Sequence, residues 1–330
     1  MGKILTVIIC AYNMEKYISE ALESCKIKDM DKLEVLIMND GSTDKTRGIC
    51  EKYCKEYPEV FNLINKENAG WGSNVNMAVK MASGKYLRIL DADDWFNTEK
   101  LQEFVSILSR IEVSLVTSLY REWNGNKIET WDLPWENYKT GDSISMKDIK
   151  DNLGLGIWKV TFSTSLVQEH HIDLPENALY MDTLFILQLL PYVEKVYFTT
   201  LYVYDYRLSR EGQSISAISI GKHYQELLLT LERQLSFYED MKNACNYKQI
   251  FYRFAATYEG VIAKLIQISN LKKIDVSKII RDSEMTLKKE APEVYRYVGH
   301  RKIIRAVRLC RYHFCSGLKQ LYYFYHKFYL

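Results

Sequence analysis

The sequence predicts an α/β fold followed by a helical region, on three observations. Four short, nearly continuous apolar runs fall within the first 90 residues, helical patterns separate them, and from about Lys222 onward β-branched runs give way to helical spacing. Strands covered on both faces of a parallel sheet read as unbroken apolar stretches, and helices between them supply the crossovers. A chain of 330 residues is long enough for about two domains with cores of their own.

The apolar runs occupy 4–10, 33–38, 60–64 and 86–90, with helical patterns near 15–26, 44–56, 72–81 and 98–110. Ser42-Thr43-Asp44 gives the second helix its start signal, because hydroxyl and carboxylate oxygens accept from free helix amides. From 112 to 220 the pattern is mixed, with β-like runs at 113–120 and 202–206 and a helix at 181–190. Leu227, Leu228, Leu231 and Leu235, then Phe254, Tyr258, Val261, Ile262 and Leu265, repeat at helical spacing. The expected domains are therefore 1–220, catalytic in character, and 221–330, helical.

With 47% apolar and 26% charged residues, 5 Pro and 15 Gly, the composition is that of a soluble globular protein. The formal charge of +2 divides unevenly, −6 up to Glu293 and +8 beyond it, where no acidic residue occurs. Seven cysteines without a C-x-x-C pair point to reduced thiols rather than to a zinc or redox site. No run approaches the ~18 apolar residues of a membrane span, so a cytoplasmic protein is expected.

Ligands of open α/β sheets gather beyond the carboxyl ends of the strands. Polar residues follow all four runs: Ala11-Tyr12-Asn13, Asn39-Asp40-Gly41-Ser42, Asn68-Ala69-Gly70-Trp71-Gly72 and Asp91-Ala92-Asp93-Asp94. Neither a dinucleotide fingerprint nor a P-loop follows the first run, which argues against a nicotinamide enzyme or an NTPase. Three carboxylates on one strand end call for a hard divalent cation, Mn2+ or Mg2+, completed by substrate phosphates. The same residues also suit a helix start, with Asp93 or Asp94 capping the helix near Thr98. Asp40 suits a base-ring N–H or ribose hydroxyl, or else a simple turn. Gly70 and Gly72 permit close backbone approach.

In this order the four motifs resemble the family 2 glycosyltransferases of GT-A fold, over roughly residues 4–216. The resemblance implies a GT-A type nucleotide-binding domain with a mixed sheet and an inverting, metal-dependent transfer from a UDP-sugar. It places Ala11, Tyr12, Asn13, Asp40, Asn68, Gly70, Asn76 and Asp91 at the nucleotide and Asp93 at the metal. Cys10 stands where the family usually has proline. Tyr180-Met181-Asp182 is similar to the family's acceptor-side Glu-Asp, so Asp182 takes the place of the catalytic base while Met181 replaces the glutamate. Asp182 also suits the dipole at a helix start. Arg207, Arg210 and Ser214 resemble the segment that contacts the donor pyrophosphate. Trp71, Trp123, Trp131 and Trp135 offer faces for sugar rings or for core packing, the 131–135 loop most of all.

Residues 301–324 read as an amphipathic helix, with Ile303, Val307, Cys310, Phe314, Leu318 and Leu321 on one stripe and Arg301, Arg305, Arg308 and Lys319 on the other. Residues 295–330 suit an anionic membrane surface or an anionic polymer acceptor such as a polyol phosphate. They also suit docking on the helical domain, the basic face being solvated. The acceptor is expected to be a glycan, a lipid-linked molecule or such a polymer. The tail alone makes nucleic acid a weak candidate, and none is expected as a partner. Two other readings stay open, a nucleotidyltransferase and a non-catalytic carbohydrate-binding or scaffold protein.

Overall fold

The computed structural model describes residues 2–125, 127–130, 137–170, 172–210, 212–271 and 274–312. Trp131 and Trp135 of the expected stacking loop lie outside them, as do Phe314, Leu318, Lys319, Leu321 and the rest of the tail past Tyr312. The chain divides into two compact units, Met1–Arg210 and Glu211–Leu330. Among the described residues no helix is long and apolar enough to cross a membrane.

The first unit opens with β1 (Leu5–Ala11), α1 (Ile18–Ser24), β2 (Leu33–Asp40), α2 (Thr46–Glu56), β3 (Phe61–Lys66), α3 (Gly70–Met81) and β4 (Tyr86–Asp91). It continues with β5 (Trp95–Phe96), α4 (Thr98–Leu108), β6 (Leu115–Asn124), β7 (Lys127–Thr130), β8 (Ser143–Ser145) and β9 (Val160–Ser163). It closes with α5 (Thr164–Glu169), α6 (Asp182–Leu189) and β10 (Lys195–Leu208). One sheet holds the strands in the order β3-β2-β1-β4-β9-β6-β10-β5, with β7 beside β6 and β8 beside β10. β1 to β4 pair in parallel, β9 runs antiparallel to β4 and β6, and β10 is parallel to β6, so the sheet is mixed.

Register levels the strand ends. Cys10 lies opposite both Met38 and Asp91, and Asp40 opposite Lys66, so the loops after β1 to β4 open on one edge. Two helices start later than their patterns suggest because side chains claim the amides first. Met14 N–H donates to Thr46 Oγ1 at 2.7 Å and Glu15 N–H to an Asp44 carboxylate oxygen at 3.0 Å, which delays α1 to Ile18. The other Asp44 oxygen accepts from Thr46 N–H at 2.9 Å and sets the start of α2. Neither Asp93 nor Asp94 caps α4; Asn97 does, accepting from Lys100 N–H at 3.0 Å.

The second unit contains α7 (Ala217–Asp240), α8 (Tyr247–Gln267), α9 (Val276–Glu290), α10 (Pro292–Val298) and α11 (Lys302–Leu309). Ser216 caps α7. Leu231, Phe254, Tyr258, Ile262, Ile280, Leu287 and Ile304 are buried. The expected helix over 301–324 is corrected here. α11 stops at Leu309, Arg311 and Tyr312 take φ of 49° and 65°, and Tyr312 N–H reaches back to Val307 O at 3.1 Å, a Schellman-type stop. Arg308 also leaves the solvated basic face, because its Nη2 donates at 3.2 Å to the buried carboxylate of Glu284.

Candidate active site

The loops after β1, β2 and β3 are stitched to one another. Asn13, at φ 53°, accepts on its side-chain oxygen from Thr43 N–H at 2.8 Å, and its own N–H donates to Ser42 Oγ at 3.0 Å. Asp40 is buried; its carboxylate accepts from Lys66 Nζ at 2.6 Å and from the amides of Ala69 and Gly70 at 3.0 and 2.9 Å. Asp40 thus fixes the turn carrying Asn68 and Gly70. Tyr12, Asn13 and Asn68 stay exposed along the same sheet edge, where a flat ring and a ribose have access, while Ala11 is buried beneath them. Cys10 lies between two carboxylates: burial first, then Asp91 and Asp40, push its thiol well above its usual range.

At the end of β4 three aspartates take three different positions. Asp94 is buried and serves as an anchor, accepting from Tyr204 Oη at 2.7 Å and from Arg207 N–H at 2.8 Å. Burial, then the charges of Asp93 and Asp91, hold its carboxyl well above the carboxylate range. The same Tyr204 oxygen accepts from Asp91 N–H at 3.2 Å. Asp91 is pushed up to about 7, by burial first and then by the charges of Asp93 and Asp182, against the Trp71 indole hydrogen bond and Arg210. Asp93 forms an ion pair with Arg210, and its carbonyl accepts from Arg207 Nε at 2.9 Å. Arg207 also pairs with Glu20 and lies 4.5 Å over the Trp95 ring, so it braces the Asp93 turn.

Asp182 is the first residue of α6. Tyr180 before it adopts φ 65°, an uncommon conformation for a bulky residue and one that clusters at functional sites. Met181 is 1% exposed and packs in the core. The segment leading to Asp182 is clamped onto α3. Asn76 Nδ2 donates to Leu174 O at 2.9 Å and its Oδ1 accepts from Leu174 N–H at 3.3 Å, while Ser73 Oγ donates to Glu176 at 3.1 Å. Gly70 and Gly72 make that contact possible: a Cβ on Gly72 would meet Pro175 O at 2.4 Å. Asn76, expected at the nucleotide, commits both ends of its amide to this clamp. Trp71 packs edge-on against Phe185 at 6.3 Å while bonding to Asp91, tying α6 to β4.

Asp91, Asp93, Asp182, Arg207 and Arg210 therefore share one neighbourhood, whereas Ser214 falls in the second unit, exposed before α7. Sequence reasoning missed Tyr204, the strut beneath the cluster, and Arg88, fully buried on β4. Arg88 Nη1 donates to Ser118 and Thr161 hydroxyls at 3.0 and 3.1 Å, and Nη2 to Trp158 O. Burial pulls its guanidinium down to about 9. A charged residue inside an otherwise apolar strand is the signal that marks it. Beside it Trp158 stacks on Tyr206, centroids 5.4 Å apart, and tilts against Tyr120 at the same distance. Trp123, expected to stack or pack, packs against Trp95 with centroids 5.3 Å apart and donates its indole N–H to Asp205 at 2.8 Å.

A hard divalent cation fits this donor set. Burial first and the charges of Asp93 and Asp182 second raise Asp91, a cation would offset those charges, and a guanidinium already rests on Asp93. Asp91 and Asp93 could supply the one or two carboxylates with which such a cation is usually held, beside water and substrate phosphates; among the described residues no group of three or more ligating side chains converges.

A sequence profile described as Glycosyl transferase family 2 matches residues 6–166. The Bacillus subtilis protein EpsH is 27% identical over 248 residues, 71% of this chain and 67% of its own length. Staphylococcus aureus TarS, a poly(ribitol-phosphate) beta-N-acetylglucosaminyltransferase, is 27% identical over 220 residues, 66% of this chain. The match covers 37% of TarS, so the chain corresponds to little more than a third of that relative. Among solved structures, TarS 1–349 in complex with UDP-GlcNAc superposes with a TM-score of 0.66 at 18% identity, covering 98% of this chain and 91% of that one. A Pyrobaculum calidifontis mannosyltransferase with GDP-Man and Mn2+ reaches 0.50 at 17% identity, over 89% and 82% of the two chains.

Proposed function

The chain belongs to glycosyltransferase family 2 and has the GT-A fold, and from that premise we propose that it moves a sugar from a UDP-sugar to an acceptor hydroxyl, with inversion. The observation that carries this reading is that Asp182, at the start of α6, lies near enough to Asp91 for its charge to act on that carboxyl, with the Asp93–Arg210 ion pair on the same strand end. Inversion needs one carboxylate on the face opposite the leaving group, able to take the proton of the attacking hydroxyl. Asp182 is the residue for that task, held on a rigid helix start by the clamp of Asn76 on Leu174. Tyr12, Asn13 and Asn68 line the nucleotide edge, with Ala11, Asp40 and Gly70 shaping it.

Asp93, with Asp91 behind it, would hold Mn2+ or Mg2+, which when bound disperses the charge of the departing diphosphate. Arg210, which rests on Asp93, would pair with two phosphate oxygens through the fork of its guanidinium. Arg207 keeps the Asp93 turn in position, and Ser214 belongs to the same donor-side segment. The relatives that act on poly(ribitol phosphate) make an anionic polyol-phosphate polymer the first acceptor to try, ahead of other glycans and lipid-linked sugars. The test is a screen of UDP-sugars for Mn2+-dependent UDP release, with and without poly(ribitol phosphate). Release with one sugar, stimulated by the polymer, is expected; no release with any UDP-sugar overturns the reading.

A further inference from the structure

The carboxylate proposed to hold the cation already has a positive partner. Asp93 pairs with Arg210, and the two side chains are only 12% and 14% exposed. A divalent ion added to this closed pair meets the guanidinium charge at close range and in poorly screened surroundings. Asp91 lies within reach of the same guanidinium, which acts on it against the charges of Asp93 and Asp182. One side chain thus supplies the positive charge that the ion would bring to the cluster.

Arg207 and Arg210 differ in how they are anchored. Arg207 lies in the β10–β6 ladder opposite Trp123, and its own N–H donates to Asp94 at 2.8 Å. Its guanidinium donates to the Asp93 carbonyl, pairs with Glu20 and lies over Trp95. Arg210 comes after the last residue of β10, beyond an exposed Ser209 at φ 62°. Its guanidinium holds Asp93 and lies 5.6 Å from the centroid of the Tyr17 ring. A guanidinium outside the ladder can turn to another anion without breaking the sheet.

We propose that Arg210 keeps the cation's place at Asp93 in the nucleotide-free protein and yields it when a diphosphate arrives, so that cation and donor enter together. This rests on the sugar-transfer reading. The guanidinium exchanges a carboxylate for phosphate oxygens, which its fork matches equally well, and the carboxylate it leaves is then open to the ion. A cation offered alone finds Asp93 open only in the fraction of molecules whose pair is broken, and its apparent affinity is lowered by that fraction.

The test is Mn2+ binding to the full chain, followed by the paramagnetic resonance of free Mn2+, with and without UDP. Arg210→Gln is expected to tighten Mn2+ binding about tenfold or more without UDP, and to weaken UDP binding in the presence of Mn2+. The two affinities then move in opposite directions, whereas loss of a merely structural side chain weakens both. Arg110→Gln, which removes the same charge from an exposed position, is expected to change neither. Unaltered or weaker Mn2+ binding by Arg210→Gln without UDP overturns the proposal and leaves the sugar-transfer reading standing. Equal tightening in Arg110→Gln also overturns it, because net charge then explains the effect. UDP binding by the wild-type protein that is as tight in EDTA as in Mn2+ overturns it together with the metal assignment, because the guanidinium then replaces the ion instead of yielding to it.

Discussion

Three aspartates within four residues behave as three different groups because their surroundings differ. Asp94 is locked by Tyr204 and the Arg207 amide, Asp91 is raised by burial first and then by neighbouring carboxylates, and Asp93 carries the ion pair with Arg210. The D-x-D-D string is legible in the sequence, but this division of labour is not, since it depends on a tyrosine more than 100 residues away. The proposed base is separable from donor binding: Asp182→Asn should leave UDP affinity within about twofold in calorimetry and lower turnover by ~10²–10⁴. Wild-type turnover in that variant removes Asp182 from the mechanism. The thiols divide in a similar way. Burial pushes Cys25 and Cys50 up to about 12, whereas Cys245 is exposed. A raised thiol pKa keeps the reactive thiolate scarce until pH exceeds it. Iodoacetamide at pH 8 should therefore label Cys245 in the native protein, with Cys25 and Cys50 modified only at the rate of unfolding; rapid native labelling of either would contradict their burial.

At the scale of elements, the sequence marks β1, β2 and β4 well because each is apolar for most of its length, and blurs helix starts where side chains divert the amides, as Thr46 and Asp44 do before α1. The run at 202–206 understates β10, which extends from exposed Lys195 and Thr200 on one side to half-buried Arg207 and Leu208 on the other. Beside the ladder between β10 and β6, Asp205 ties the two strands through side chains, buried and bidentate to Arg121 at 2.6 and 2.7 Å, with the Trp123 indole as a third donor. Removing one partner of such a pair costs about 3 kcal/mol. Asp205→Asn should accordingly lower the melting temperature by about 6–12 °C for a unit of this size. The seam between α3 and the segment before α6 is equally specific. Gly72→Ala drives a methyl group into Pro175 O, so the clamp must open. Its effect should fall on turnover more than on UDP affinity, because Asp182 lies past the clamp and Asp40 does not. Steady-state kinetics beside calorimetry measures the split, and equal losses in both would show that the seam does not position the base.

Across the whole molecule, the sequence separates an α/β part from a helical one, and the expected boundary at 220 lies ten residues beyond the division seen after Arg210. The residues between are hard to assign by pattern: Ser209 takes φ 62° after β10 ends, and α7 waits for its Ser216 cap, so neither alternation nor helical spacing holds there. A buried cluster of the first unit draws on residues from Leu5 to Tyr204, in the helices and strands that surround β1, β2 and β4. Every residue proposed at the nucleotide and the base, apart from Ser214, also lies at or before Arg210. A fragment comprising residues 1–210 should therefore fold cooperatively and bind UDP with Mn2+ within about tenfold of the full chain, the difference reporting what Ser214 and its neighbours contribute. A fragment ending before Lys195 loses β10, and with it Tyr204 and Arg207, the struts of the acidic cluster, and should bind none. Calorimetry on the two fragments decides the point. If residues 1–210 melt without cooperativity or fail to bind UDP while the full chain binds it, the nucleotide site draws on the second unit and the boundary drawn by packing is not the boundary of function.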